Sequence, residues 1–254
     1  MVVERERQDR VGIIRLNRPE ARNAVNDEVS QAIEDALDEF EADDGVGVVV
    51  VTGTGDVFSA GADLKMVAKG EGFKIATKRG GFGGITTRDF PKPLIAAVNG
   101  PALAGGFEIV LACDLVVAAD DARFGLPEVK RGLYAAAGGP FRLARRIPLA
   151  TATEIVLTGD PIDAGRAHAL GLVNRLVPRD RVMEEALALA ATISANGPVA
   201  VRNSLRMLRE AVDLTEAEAW PRSNELAVEV FSTKDAIEGA TAFADKRPPQ
   251  WTGT

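Results

Sequence analysis

Three uninterrupted apolar runs constrain this chain more than any other feature: Val46 to Thr52, Leu94 to Val98 and Leu115 to Ala119. A strand with one wet face alternates apolar and polar residues, so runs without that alternation belong to a sheet covered on both faces. Helical patterns supply the cover. Val29, Ala32, Ile33, Ala36, Leu37 and Phe40 fall on one face of a helix that starts near Asn26 or Asp27. Apolar strands alternating with helices predict an α/β protein. Each run stops at a Gly- or Asp-rich turn, namely Gly53-Thr54-Gly55, Asn99-Gly100 and Asp120-Asp121, which hints at a repeated strand-turn-strand-helix unit. From about Asp180 the chain turns almost wholly helical, with Pro198 and Pro221 expected to break it into separate helices. Amphipathic helices of this kind need a surface to bury against, and another subunit would provide one.

Counts remove several kinds of chemistry. With 1 cysteine and 1 histidine in 254 residues, no internal disulfide and no Cys/His metal cluster can form. Cys113, in the apolar run Ile109 to Cys113, reads as a core residue, and His168 as a structural or surface residue at a helix end. A formal net charge of -7 and 5% aromatic residues argue against a nucleic-acid or anionic-membrane partner. The charged start, Met1 to Arg7, does not resemble a secretory leader, and no apolar stretch reaches the length of a bilayer span. A cytoplasmic location is therefore expected. Gly70 to Gly84 holds six glycines with Lys74, Lys78 and Arg79. It reads either as a flexible surface loop or as a pocket wall shaped by a ligand.

Three segments carry candidate chemistry. In Val57 to Lys65, the run Gly61-Ala62-Asp63 reads as the opening of a helix whose Ala62 N–H is free to meet a ligand. In Asn99 to Glu108, Gly105 and Gly106 sit at a helix N-terminus, where backbone N–H groups are unpaired and the dipole is positive. Two such N–H groups on one oxygen would form an oxyanion hole. Glu108 lies one turn beyond Gly105 on the same helix face. In Ala122 to Lys130, Glu128 follows Pro127 at the start of a short helix. Two carboxyl groups facing a polarised carbonyl suit proton delivery and water activation, and each shifts the other's pKa. Taken alone, a glutamate near a helix start only complements the dipole. The glycines fit neither a P-loop nor a dinucleotide fingerprint.

Taken together, these segments resemble the enoyl-CoA hydratase/isomerase (crotonase) family, and the match runs along nearly the whole chain. Phe58 to Lys65 and Asn99 to Glu108 resemble the family's two oxyanion-hole segments, and Phe124 to Glu128, followed by Gly138-Gly139, its second acid segment. Leu157 to Asp160, Ala169 to Asn174 and Ala242 to Pro248 are similar to further landmarks. The resemblance implies a crotonase-like spiral of ββα units over residues 1–195, then a helical region over 196–254 that builds trimers or hexamers. It implies that Ala62 and Gly105 hold a thioester oxygen, that Glu108 activates water for attack at Cβ, and that Glu128 delivers a proton to Cα. Ala24, Ala60, Asp63, Leu64 and Gly106 would line the acyl-CoA site, with Arg22 and Lys65 as phosphate contacts. Phe243 and Lys246 would reach a CoA held by a neighbouring subunit. No separate cofactor or metal is implied, because CoA arrives with the substrate.

The chain departs from the family at two places. Ala135 and Ala136 stand where hydratases have proline and glycine, with Tyr134 adding bulk beside them, so an unusual acyl group is a live alternative. Ala104 stands for the third glycine of the usual run, a change expected to be mild and away from the donor. The competing readings are an isomerase working with one acid, a dehydratase of a polar acyl-CoA such as carnitinyl-CoA, and a non-catalytic CoA- or RNA-binding scaffold.

Overall fold

The apolar runs form the middle of a six-stranded sheet in the computed structural model, which describes all 254 residues. The strand order is Val3–Gln8, Val11–Leu16, Val48–Gly53, Leu94–Val98, Leu115–Ala119, Arg175–Val177. The first pair is antiparallel and every later pair parallel. Val48 to Val51 and Ile95 to Val98 are completely buried, as strands covered on both faces must be.

Each turn of the chain leaves this sheet and touches a second, narrower one before entering a helix. Ala102–Leu103 pairs parallel with Arg123–Gly125, which pairs antiparallel with Ile162–Asp163. Single bridges, Ser59 to Ala102 and Val25 to Ala62, extend the same layer. Strand, short strand, helix is thus repeated as a spiral of ββα units.

The helices start where side chains cap them. Asn26 accepts from the Val29 N–H at 2.9 Å and opens Asp27–Ala42, whose Val29, Ile33, Ala36, Leu37 and Phe40 are buried. Gly105–Ala112 is buried along nearly its whole length and lies between the two sheets' connections, which is why it carries no polar face. Val182–Ser194 rests on the main sheet through Val182, Ala186 and Ala190.

Beyond it come Pro198–Glu210, Glu216–Phe231 and Lys234–Asp245, which bury very little of themselves. Arg209 ties the first of these to the core by bonding Asp114 and the Phe90 carbonyl. Pro221 does not break the chain as expected. It lies inside Glu216–Phe231, where a Thr215/Glu218 capping box and the Arg222–Glu210 ion pair hold the helix on both sides of it. Leu208, Trp220, Val228, Phe231, Ile237 and Phe243 all stand exposed on these three helices. No helix is long and apolar enough to cross a membrane.

Candidate active site

The second layer brings the two glycine-rich segments side by side. The Leu103 N–H donates to the Ser59 carbonyl at 3.0 Å, and the chain from 59 to 62 then runs along the chain from 102 to 105. Gly61, at φ +88, makes one close approach: a methyl there would stand 2.7 Å from the Gly105 nitrogen and 2.7 Å from the Ala104 methyl. Only glycine meets both the positive φ and the space. A methyl at Gly105 would overlap the Phe82 ring, and one at Gly106 the Ser59 carbonyl.

Both expected donors are free, for different reasons. Gly105 opens its helix, so its N–H has no partner one turn back. Ala62 is not at a helix start; the helix Leu64–Ala68 begins later, with Asp63 as its N-cap. Instead Ala62 bridges Val25, where Val25 N–H bonds Gly61 and Asp63 N–H bonds Val25, leaving the Ala62 N–H aimed away from the pair. The pair of N–H groups therefore draws on one helix dipole, not two. Ala104 also differs from expectation. It caps the Gly105 helix at φ 54, ψ -131, a region that favours glycine, so its strain sits directly beside the donor.

Glu108 is 3% exposed, and its Oε1 accepts from the Ala137 N–H at 2.7 Å and the Gly139 N–H at 2.9 Å. Burial pushes its carboxyl up to about 7; the Gly139 bond opposes this, and the nearby Glu128 carboxylate adds to the rise. Glu128 lies on the 3-10 turn Pro127–Arg131, and its Oε2 is buried without a partner in the chain. Burial raises its pKa too, against its own backbone N–H and Arg131. Two carboxyl groups with raised pKa values, beside two free N–H groups, can move protons around a polarised carbonyl.

The raised pKa has a stability cost. Below pH about 4.5 Glu108 is protonated in both folded and unfolded chains. As pH rises to about 7, the unfolded chain releases the proton and the folded chain keeps it, so stability falls across that window. At about 1.4 kcal/mol per pH unit, the loss is about 3 kcal/mol. Glu108→Gln, which keeps an acceptor for both N–H groups, is expected to be about 2–3 kcal/mol more stable than wild type at pH 8 and nearly equal to it at pH 4.5. Urea unfolding at the two pH values checks this, and equal stability at pH 8 would refute it.

The remaining expected residues fall in several places. Ala60 and Ala24 are half-buried beside the donor segment: the Ala60 N–H bonds the Arg22 carbonyl at 3.0 Å and the Ala24 carbonyl accepts from Arg18 at 2.7 Å. Asp63 is occupied as a cap and as the 3.3 Å ion-pair partner of Arg18. Arg22, Leu64 and Lys65 are exposed at the edge of that segment. Tyr134 and Ala136 are exposed on the loop before Ala137, whereas Ala135 is buried. Phe243 and Lys246 lie apart, exposed at the end of Lys234–Asp245, which packs on the helix before it.

The Gly70–Gly84 stretch is built into the fold. Ala76–Thr77 pairs with Gly81–Phe82, Glu34 accepts from the Gly80 N–H and the Thr77 hydroxyl, and Arg79 pairs with Asp38 and Glu41. Its Phe82 ring closes over Gly105. Phe82, Ala137 and Arg142 were not among the expected site residues. The Gly138-Gly139 pair ahead of a helix was the one signal in the sequence for the donors to Glu108. His168 bonds the Val173 carbonyl through Nδ1 at 2.8 Å, and Cys113 is buried with its thiol pushed up to about 12, so both are structural.

The model of the enoyl-CoA hydratase/isomerase family matches residues 6–254. The chain belongs to the enoyl-CoA hydratase/isomerase family. It is 40% identical to the enoyl-CoA hydratase EchA19 of Mycobacterium tuberculosis over 97% of this chain and 94% of that protein. It is also 40% identical to a carnitinyl-CoA dehydratase of Salmonella typhi over 94% of each chain. Its fold superposes on the crystal structure of an enoyl-CoA hydratase from Mycobacterium tuberculosis H37Rv with a TM-score of 0.96 and 49% identity, covering 100% of this chain and 99% of that one. In this family the ββα spiral is the crotonase fold.

Proposed function

We propose that this enzyme is a hydro-lyase that adds water across the 2,3-double bond of an enoyl-CoA. The observation that carries the reading is a pair of carboxyl groups whose pKa burial raises, the buried Glu108 and the half-buried Glu128, beside the free N–H groups of Ala62 and Gly105. The thioester oxygen takes both N–H groups, which draws electrons from Cβ and stabilises the enolate-like charge that develops. Glu108 has one oxygen fixed by Ala137 and Gly139, leaving the other to hold a water. The water oxygen bonds Cβ and its proton passes to Glu108; Glu128 gives a proton to Cα. The proton gained by Glu108 then replaces the one lost by Glu128 before the next turnover.

The CoA arm is assigned to the exposed edge at Arg22, Leu64 and Lys65, and no separate cofactor takes part. Residues 196–254 are assigned to subunit contacts in a trimer or hexamer, supported by the exposed apolar side chains of the last helices. Phe243 and Lys246 would then face a neighbouring subunit's CoA. A cytoplasmic location is part of the same proposal.

A second substrate class has its own support. Tyr134 and Ala136 stand at the loop that leads into Ala137, and the carnitinyl-CoA dehydratase relative acts on a polar acyl group. The test is loss of the conjugated enoyl absorbance with short, medium and long 2-enoyl-CoA substrates, and dehydration of carnitinyl-CoA in parallel. Because Glu108 must be ionised to take the proton, kcat/KM should fall about tenfold per pH unit below about 7. Wild-type enzyme inert toward every one of these substrates would reject the hydro-lyase reading.

A further inference from the structure

We propose that Arg142 is a positioning residue for Glu108, gripping the turn that holds this carboxylate and setting the charge beside it. The inference rests on the reading of Glu108 as the group that activates water. Arg142 lies on the helix Gly139–Arg146. Its Nη1 donates to the Ala137 carbonyl at 3.0 Å, its Nη2 donates to the Thr86 carbonyl, and its backbone N–H donates to the Gly138 carbonyl at 3.0 Å. The same turn presents its Ala137 and Gly139 N–H groups to Glu108 Oε1. Arg142 therefore holds the carbonyl side of a turn whose N–H side holds the carboxylate. Gly138, at φ +104, makes the reversal possible, and a methyl there would run into the guanidinium.

The grip extends across the site. Thr86 follows closely on Phe82, whose ring covers Gly105, so one guanidinium joins the turn under Glu108 to the wall over the Gly105 donor. Its side-chain bonds go to carbonyls, and it lies 5.3 Å from the Phe141 ring centroid, so no carboxylate bond spends its charge. The groups around it have other engagements. Arg145 and Arg146 share its helix, pairing with Asp213 and with the Cys113 carbonyl. Asp114 is held by Arg209, the Cys113 thiol stays neutral, and Arg88 faces Asp38 and Glu41. Glu128, when ionised, opposes the ionisation of Glu108. Arg142 is the cation that favours it.

The experiment follows the Glu108 carboxyl directly, by 13C NMR titration assigned with Glu108→Gln, alongside kcat/KM against pH. In Arg142→Gln the midpoint should rise by about one pH unit, and the acid limb of the rate profile should move with it. Arg142→Lys, which keeps the charge but not the two-pronged grip, should hold the midpoint near wild type while kcat drops about tenfold. A midpoint unchanged in Arg142→Gln overturns the proposal. If that variant fails to fold, wild-type kcat in Arg142→Lys overturns it. A midpoint that rises while the rate limb stays put supports Arg142 as the group that sets Glu108, and instead removes Glu108 from the water-activating role.

Discussion

Glu108→Ala and Glu128→Ala are each expected to cut kcat for hydration by about 10²–10⁴, with far smaller changes in KM. On the proposed mechanism neither carboxyl holds the thioester, which would be bound by backbone N–H groups and by the CoA arm. Each is needed only as protons move. Losing Glu108 removes the base for water; losing Glu128 leaves the enolate without its proton. Because the two act in one event, the double variant should be little worse than either single variant. Circular dichroism melts run beside the kinetics separate this from misfolding, and Glu108→Gln, which keeps an acceptor for the Ala137 and Gly139 N–H groups, serves as a folded control lacking the base. An isomerase would behave differently. It moves a proton between carbons and needs no water, so one acid could be dispensable for a double-bond shift while the other is not. Near-wild-type hydration in either single variant would sink the two-acid mechanism.

The parts of this molecule that were legible in the sequence are those where side chains alone decide the outcome. Val48 to Val51 and Leu94 to Val98 could only be strands covered on both faces, and Asn26 ahead of Val29, Ile33 and Phe40 could only open an amphipathic helix. The second sheet was not legible, because its strands span two or three residues and such pieces have no periodicity. That sheet frees the Ala62 N–H, so a donor expected at a helix start proved to belong to a β-bridge with Val25. Pro221 misled because propensity speaks for the isolated chain, whereas the capping box and Arg222 act in the folded one. Ala137 and Gly139 serve Glu108 through backbone N–H groups, which leave no trace in residue type beyond the Gly138-Gly139 pair. The glycines of the 70–84 stretch left a flexible loop and a pocket wall both open; Glu34, a residue of the long first helix, pins the stretch, and its Phe82 ring lies over Gly105.

Gly61→Ala should damage the site through a single methyl. The added carbon would sit 2.7 Å from the Gly105 nitrogen and 3.0 Å from the Leu103 carbonyl, so the segment carrying Ala62 must move away from the segment carrying Gly105. In the proposed mechanism both donors serve one oxygen, so separating them would lose at least one hydrogen bond to the developing charge. Removing one such donor costs about 10²–10³ in kcat. The methyl also forces a side chain to φ +88, at about 1–2 kcal/mol of folding stability. These effects can be told apart, because Ala104→Gly removes one of the two groups at 2.7 Å and relaxes the strained cap beside Gly105. In the double variant Gly61→Ala/Ala104→Gly, stability should recover more than kcat does, since the contact with the Gly105 nitrogen remains. A Gly61→Ala enzyme that loses stability but keeps kcat would mean that the thioester oxygen is held elsewhere, and the paired N–H groups of Ala62 and Gly105 would lose their assignment.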